Sequence, residues 1–482
     1  MQDQSRKRPR VVVLGAGFAG LTTTLRLARE PVDVTVIDRH NYHLFQPLLY
    51  QVATAALSPA DIAAPIRGIL SKLPNVNVLL DTITDIDRSA REVHTLSGRS
   101  ITYDYLVVAT GATHNYFGND HWQEFAPGLK RIEDATELRR RILLAFERAE
   151  MEEDPERRKA LMTFVIVGGG PTGVEMAGAV AELTRFTLAR DFRRIKPENA
   201  RVLLVDANDR VLRPFPEKLA TKACKSLERM GVQLVLNSRV DGLDENCVRI
   251  GDEVIPTETV IWSAGVKASP AGEWLGIDTD PSGRVEVDEH LRLPGDERVF
   301  VIGDVAAHTN PDGTPTPGLA PAAKQQGRYA ARALTAMCAE KPLPGPFRYR
   351  DYGQLATIGR HSAVVNLRGW RISGHPGWWF WGLAHIYYLI GFRIPIDGRM
   401  PRGRRRGQDL CRAGRGKPGS ARSAARIVDR SRDRAPRAGR RLHGRLSRPP
   451  DRQTGGVHVH AGPGGDQPAH PRRLRPARRH AD

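Results

Sequence analysis

The sequence predicts an α/β chain with two Rossmann-like units, because one pattern of strand, glycine-rich turn, helix and strand occurs twice. The first copy has a strand at residues 11–14, a turn at 15–20 and a second strand at 32–37. The second copy begins with a strand at Thr163–Val167 and has its turn at 168–173. Between the two copies, a charged stretch at about 134–158 is predicted to be helical.

Composition separates a nearly neutral globular part from a basic tail. At 482 residues the chain exceeds one ordinary hydrophobic core, so two or three domains are expected. Its formal charge is +19, but residues 393–482 hold 25 basic and 7 acidic residues, a surplus of 18, which leaves about +1 for the rest. The tail contains no Phe, Trp, Tyr or Glu. We therefore predict that it is disordered.

The first glycine motif predicts a dinucleotide site. Gly15 permits the tight turn, Gly17 lets a pyrophosphate approach the backbone, and Gly20 lets the helix pack closely on the strand. The phosphates would meet the helix N-terminus. Asp38 follows at the end of the next strand, where it can accept hydrogen bonds from an adenosine ribose.

The second motif repeats this arrangement with Gly168, Gly170 and Gly173. Its candidate acid is Asp206, whose carboxylate would bind a ribose 2′-OH and repel a 2′-phosphate. The motif therefore favours NADH over NADPH, although Arg210 nearby leaves NADPH open.

Three further features surround the two motifs. Glu175 lies in the first turn of the second helix, where a chemical role and simple stabilisation by the helix dipole are both open. A strand at 299–302 runs into Asp304, which would face the ribityl chain or pyrophosphate of FAD if the chain returns to the first unit there. Segments 105–111 and 260–265 end in small-residue turns that would close each unit near its cofactor.

The cysteines and histidines exclude several classes of protein. Cys224, Cys247, Cys338 and Cys411 lie far apart, which indicates neither a disulfide framework nor a zinc site and fits a reducing cytoplasm. The 15 histidines show no ligand spacing, so no metal is assigned. No dithiol follows the first motif, which argues against flavin disulfide reductases and sulfide-oxidising flavoproteins.

An apolar, aromatic segment at 376–392 precedes the tail. It is shorter than the roughly 20 apolar residues of a transmembrane helix. Its tryptophans, Trp378, Trp379 and Trp381, leave two readings open, namely packing between domains and an interfacial membrane segment.

Together with the loop at 38–53 and the segment at 320–327, the two motifs make the chain resemble bacterial type II NADH dehydrogenases over about residues 8–392. The Phe-Gln-Pro-Leu-Leu-Tyr run within that loop is the most specific part of the resemblance. The resemblance implies a FAD domain interrupted by an NADH domain, noncovalent FAD, and electron transfer from NADH to a quinone without proton pumping.

The resemblance also implies roles for individual residues. Glu175 would lie near the nicotinamide and the flavin, and Gln325 would belong to a quinone-site motif, Ala-Gln-x-Ala-x-Gln, whose first glutamine is Pro321 here. The cofactor-binding residues implied for FAD are Gly15, Gly17, Gly20, Asp38, Gln46, Thr110, Gly111 and Asp304, and those for NADH are Gly168, Gly170, Gly173 and Asp206.

From the resemblance we expect a FAD-binding domain at 8–125 and 296–340, an NADH-binding domain at 126–295, a small membrane-associating region at 341–392, and the tail at 393–482. It implies a peripheral enzyme on the cytoplasmic face of the inner or plasma membrane, with an anionic membrane surface as partner, and it allows a homodimer. Members of this family usually continue after residue 392 with amphipathic helices. The abrupt change in composition there suggests a changed reading frame, which nucleotide sequencing would test.

Two other functions stay open at this point. One is a soluble NADH-flavin reductase that uses oxygen or a protein acceptor. The other is an NADH-sensing flavoprotein whose arginine-rich tail binds nucleic acid. That tail has no aromatic residue for base stacking, so such binding would be nonspecific and salt-dependent.

Overall fold

A computed structural model describes residues 8–367 and 369–393 of the chain. The predicted tail lies outside the described residues except for Arg393. The structure confirms the predicted α/β class and the two Rossmann-like units, each built on its own parallel sheet.

The first sheet has six strands, and the chain visits it twice. The strand Asp296–Val301 pairs in parallel with Tyr105–Val108, after the whole second sheet has been built. The first unit is therefore interrupted by the second. In spatial order the strands are Arg292–Leu293, Asp296–Val301, Tyr105–Val108, Arg10–Leu14, Asp33–Asp38 and Val76–Leu80, parallel except for the antiparallel first pair.

The second sheet has four parallel strands. Its inner strand Thr163–Val167 is buried at every position, as expected for a parallel strand covered on both faces. In spatial order the strands are Val232–Val235, Arg201–Val205, Thr163–Val167 and Thr259–Trp262.

Smaller sheets complete the strand structure. Three have three antiparallel strands each, and three are two-stranded. The three-stranded sheets are Ile83–Asp87, Glu92–Thr95 and Ser100–Thr102; Gly242–Leu243, Cys247–Ile250 and Glu253–Pro256; and Gln354–Gly359, Ser362–Leu367 and Trp370–Gly374. The two-stranded sheets are Tyr42–Leu44 with Ala63–Pro65, Ala112–His114 with Val266–Ala268, and Val285–Glu286 with Ala306–Ala307.

Eleven α-helices fall within the described residues, and α1 packs mainly against α10. The stretch predicted as one helix at about 134–158 is two helices, because Asp154 caps a new start and Pro155 cannot continue the preceding one. The helices are α1 (Phe18–Leu27), α2 (Leu49–Ala53), α3 (Pro59–Ile62), α4 (Ile66–Leu70), α5 (Ile132–Met151), α6 (Pro155–Leu161), α7 (Pro171–Glu182), α8 (Glu217–Arg229), α9 (Ala271–Leu275), α10 (Ala320–Cys338) and α11 (His375–Arg393).

The two glycine turns have the same backbone geometry. Gly15 and Gly168 both have positive φ, at 93° and 109°. Each donates its N–H, over 2.7 Å, to the carbonyl at the end of the next strand, Ile37 and Val205 respectively. A Cβ on Gly20 would lie 1.9 Å from the Gly15 carbonyl oxygen, and one on Gly173 would lie 1.8 Å from that of Gly168. The close helix–strand packing expected from both motifs is present.

The last described part of the chain packs on the second unit. Its antiparallel sheet at 354–374 contacts α7, and α11 lies against the same sheet. Trp381 is buried, whereas Trp379, Phe380, Leu383 and Ile386 are exposed by 64%, 37%, 64% and 56%. α11 therefore contributes one side chain to the core and leaves four large apolar side chains exposed. Among the helices that the structure describes, none is long and apolar enough to cross a membrane.

We predict that Gly178→Ala destabilises the chain, because its Cβ would lie 2.0 Å from the Ile358 carbonyl oxygen where α7 meets the 354–374 sheet. Forcing a methyl group into such a contact typically costs about 1–3 kcal/mol. Denaturant unfolding would measure the loss.

Gly68→Ala is the matched control, since its Cβ would meet only Pro65, at 3.8 Å, within another helix. There the substitution should be neutral or stabilising by up to about 1 kcal/mol. Equal effects at both positions would contradict close packing at Gly178.

Candidate functional site

One cleft collects most of the predicted site residues. It has a volume of about 400 Å³ and lies at the carboxyl ends of the first sheet. This edge is where open α/β sheets bind ligands. Of the predicted residues, the cleft is lined by Gly15, Gly17, Asp38, Gln46, Thr110, Gly111, Glu175 and Asp304, while Gly20 lies behind it in the helix–strand contact.

Asp38 holds the first glycine turn in place. One carboxylate oxygen accepts the Ala16 N–H at 2.6 Å, and the other accepts the His40 N–H at 2.7 Å. The acid predicted to meet a ribose therefore also fixes the turn from inside. Beside it, the buried His43 ring contacts the Ala16 carbonyl oxygen at 2.7 Å, and burial lowers the pKa of His43 to about 4, so the ring is neutral at pH 7.

The opposite wall contains Asp304. The preceding turn is held by Gln326, whose buried amide oxygen accepts the Gly303 N–H at 2.6 Å. Gly303 has a φ of 82°, a conformation that favours glycine. Gln326 therefore orients the turn that presents Asp304, a role that the sequence analysis missed.

Thr110 and Gly111 form the third part of the wall and join it to a neighbouring loop. The Thr110 hydroxyl hydrogen-bonds that of Ser269 at 2.6 Å, and the Ser269 N–H donates to the Gly111 carbonyl at 3.0 Å. Gln46 closes the cleft from the loop after the second strand, and its amide donates to the Lys130 carbonyl at 3.0 Å. Lys130 and Arg131 line the cleft without having been predicted, because two basic residues before a helix carry no distinctive sequence signal.

Glu175 reaches this cleft from the second unit. It is half-buried, and burial raises the pKa of its carboxyl group to about 8, offset only by the Thr357 N–H, 3.4 Å from a carboxylate oxygen. Thr172, one helical turn earlier on α7, lines the same cleft. The first turn of the second unit's helix thus opens onto the first unit's site.

The cleft fits a flavin dinucleotide. A Cβ on Gly17 would meet no described atom within 4 Å, so the backbone is open where a pyrophosphate would approach. Both ring nitrogens of His40 are buried beside the cleft and have no hydrogen-bond partner among the described residues. Such orphaned polar atoms are rare in native proteins, and a polar ligand in the cleft would satisfy them.

The second unit repeats the first at its own glycine turn. Asp206 accepts the Gly169 N–H through one oxygen and the Asn208 N–H, at 2.7 Å, through the other. These contacts match those of Asp38 with Ala16 and His40. Gly170 is as open as Gly17, because its Cβ would meet no described atom within 4 Å. Asp206 thus contacts its glycine turn as Asp38 does, despite its longer spacing from the motif.

Gln325 lies outside both the cleft and the second unit's glycine turn. Its amide donates to the Arg350 carbonyl at 2.9 Å and accepts the Arg350 N–H at 3.0 Å, outside the cleft. The adjacent Gln326 faces Gly303 instead, because successive helical residues point about 100° apart. The expected place of Gln325 in a quinone-site motif stays a prediction, and the contact that the structure shows for its side chain is the one with Arg350.

Comparisons with known proteins agree with this geometry. The pattern of the family described as pyridine nucleotide-disulphide oxidoreductase matches residues 9–327. Two Mycobacterium tuberculosis proteins, type II NADH:quinone oxidoreductases Ndh and NdhA, are 45% and 43% identical to the chain. These alignments cover 82% and 81% of this chain and 87% and 85% of the two relatives.

Solved structures show the same fold at low identity. The NDH2 structure from Plasmodium falciparum in complex with NADH has a TM-score of 0.74 at 19% identity, covering 80% of this chain and 96% of that one. The sulfide:quinone oxidoreductase from Aquifex aeolicus has a TM-score of 0.65 at 18% identity, covering 80% and 91%.

We predict a pH dependence of stability that originates at Glu175. The folded chain keeps this carboxyl protonated up to about pH 8, whereas its ordinary pKa is 4.5. The native state then binds more protons than the unfolded state between these values, so the free energy of unfolding should fall as pH rises through that window and level off above it. Denaturant unfolding at several pH values measures this slope.

Glu175→Gln should flatten the slope, and the exposed Glu156→Gln should leave it unchanged. An unaltered slope in Glu175→Gln would show that Glu175 ionises at its ordinary pKa.

Proposed function

The chain belongs to the pyridine nucleotide-disulphide oxidoreductase family and, within it, to the type II NADH:quinone oxidoreductases. On this premise we propose which of its residues bind and orient NADH and FAD while electrons pass from NADH through FAD to a quinone without proton pumping. The observation that carries the proposal is the position of Thr172 and Glu175, which start from the second unit's glycine helix and line the first unit's cleft. A nucleotide bound at the second unit's glycine turn would thus meet the one bound at the first unit's turn in this cleft.

FAD, when bound, supplies the chemistry, since it accepts a hydride from NADH and gives electrons to the quinone. The chain contributes binding and orientation. We propose that Gly15, Gly17 and Asp38 seat the adenosine and pyrophosphate of FAD, and that Asp304 and the turn at 110–111 hold its remainder. Gln46 would border the same cofactor.

NADH binding falls to the second unit in this proposal. Gly168, Gly170 and Gly173 shape the turn, and Asp206 favours an unphosphorylated ribose. Glu175, which is protonated at neutral pH, would hold a proton beside the reacting groups. Burial raises the pKa of Glu175, and no charged partner contributes to the shift.

We further propose that the unit borders follow the expected division, FAD-binding parts at 8–125 and 296–340 around an NADH-binding part at 126–295, except at the return to the first unit. The strand Arg292–Leu293 belongs to the first sheet, which moves the return to that sheet a few residues earlier. The region at 341–392 would seat the enzyme on an anionic membrane at its cytoplasmic face. The exposed apolar residues of α11, Trp379, Phe380, Leu383 and Ile386, support that attachment.

Steady-state oxidation of NADH by the purified full chain tests the function. We expect consumption of NADH to depend on an added short-chain quinone. Oxidation that is fast with oxygen and unaffected by quinone would overturn the proposal in favour of a soluble NADH-flavin reductase. The quinone reductases among the relatives favour the quinone reaction over that alternative and over an NADH-sensing, nucleic-acid-binding protein.

We predict that two glycine substitutions separate the two nucleotide sites. Gly17→Ala should lower the FAD content and weaken FAD binding by about tenfold or more, because its methyl group would occupy the space the pyrophosphate needs. Gly170→Ala should leave the flavin absorbance intact and raise the KM for NADH.

Each substitution serves as the control for the other. Both glycines have extended backbone angles open to alanine, with φ of −69° and −70°, and neither Cβ would meet a described atom within 4 Å. Loss of FAD from Gly170→Ala, with Gly17→Ala unaffected, would reverse the assignment of the two units.

A further inference from the structure

A second cavity, which we call the arginine cavity, lies apart from the flavin cleft. Its volume is about 520 Å³, and five arginines line it: Arg26, Arg328, Arg332, Arg348 and Arg350. Arg26 comes from the last turn of α1, Arg328 and Arg332 from one face of α10, and the last two from the segment that follows α10. Three separate parts of the chain therefore converge on it.

The surrounding residues fix the shape of the arginine cavity. Gln325 binds both backbone groups of Arg350 through its amide. The buried Phe347 packs on Tyr329 with ring centroids 5.6 Å apart, and the Arg332 guanidinium lies 5.8 Å from the Tyr329 ring centroid. The five arginines are themselves exposed, but the segment that carries Arg348 and Arg350 is fixed by Gln325 and by the contact of Phe347 with Tyr329.

The five positive charges are not balanced from within. Among the residues that the structure describes, no carboxylate forms a salt bridge with any of these five guanidinium groups. Arg328 and Arg332 are one helical turn apart, a spacing at which like charges destabilise a helix. Partial burial, together with repulsion from Arg328 and Arg332, lowers the pKa of Arg26.

Asp351, which follows Arg350 in sequence, accepts the Gly353 N–H at 2.8 Å and the Tyr349 hydroxyl at 3.5 Å, and it forms no salt bridge with the five arginines among the described residues. The tail at 393–482 is itself basic, so its charge does not complement the cavity. An unpaired cluster of this kind is stabilised by an external anion, and guanidinium groups match the oxygens of phosphate in a bidentate geometry.

We propose that the arginine cavity binds an anion that carries two phosphate groups. One phosphate diester would offset one of the five charges, whereas an anion with two phosphates would offset at least two of them. Two sources share this chemistry: a free diphosphate, as in pyrophosphate, and a lipid headgroup with two phosphates, as in cardiolipin. The site is separate from the NADH and FAD turns, so the proposal does not rest on the electron-transfer reaction.

Arginine-specific modification with phenylglyoxal, mapped by peptide mass spectrometry on the FAD-loaded full chain, tests the proposal. Mapping resolves each arginine and so separates the cavity from the basic tail and from the nucleotide sites. We expect pyrophosphate or cardiolipin-containing phosphatidylcholine vesicles to slow the modification of Arg26, Arg328 and Arg348, compared with Arg229 on α8, which is exposed like them but lies outside the cavity. Phosphatidylcholine vesicles without cardiolipin should give no protection.

The pattern of protection identifies the source. Protection by pyrophosphate alone assigns the site to a free diphosphate, protection by cardiolipin vesicles alone assigns it to a lipid, and protection by both leaves the shared diphosphate chemistry. Protection by neither, or equal slowing at Arg229, would overturn the proposal. None of these readouts depends on quinone turnover, so failure of the proposed function would be seen separately.

Removing two of the arginines tests whether the cavity acts as a unit. In Arg328→Gln with Arg332→Gln, the concentration of anion that protects Arg26 and Arg348 should rise by about tenfold or more, because charged hydrogen bonds are lost. The control, Lys218→Gln with Lys225→Gln, removes two exposed charges from α8 and should leave that concentration unchanged. The same shift in both variants would indicate a general charge effect and contradict a built site.

Discussion

The structure depends on a carboxylate that closes each glycine turn. Asp38 accepts the Ala16 N–H, and Asp206 accepts the N–H of the equivalent Gly169. These contacts tie the end of the second strand to the turn after the first, so the turn and its helix are held at a set distance from the sheet edge. A charged acceptor makes such a bond stronger than a neutral one. The same carboxylates would also bind a ribose, so one side chain in each unit both stabilises the turn and would bind the nucleotide.

The two units have the same local architecture, and they also share helix α7, which contacts both. Its first turn presents Glu175 to the first unit's cleft, while its far side packs on the sheet at 354–374. Burial at this junction keeps the Glu175 carboxyl protonated at neutral pH. A helix of the second unit thus forms part of the first unit's cleft, and under the proposed assignment this would bring the two bound nucleotides together.

The repeated units could be predicted because local sequence determines them. A β-branched strand, a glycine turn and a helix lie within some 20 residues of each other, and the acid follows at the next strand. Positions that depend on side-chain direction could not be predicted in this way. Gln325 and Gln326 are adjacent and chemically identical, yet one binds Arg350 and the other Gly303.

The arginine cavity could not be predicted from the sequence either, because its residues come from distant parts of the chain. Arg26 and Arg348 are far apart in sequence, and no spacing rule brings them together. Lys130 likewise reaches the cleft only through the folding of the loop before α5.

The central claim, that a nucleotide on the second unit reaches a flavin held by the first, is tested most directly by anaerobic titration of the FAD-loaded full chain with NADH. The account predicts that the flavin absorbance bleaches in proportion to added NADH, with one equivalent for each bound FAD, and returns when a short-chain quinone is added. A flavin band that persists while NADH is shown to bind would contradict it, because the two sites would then not meet at the cleft lined by Glu175.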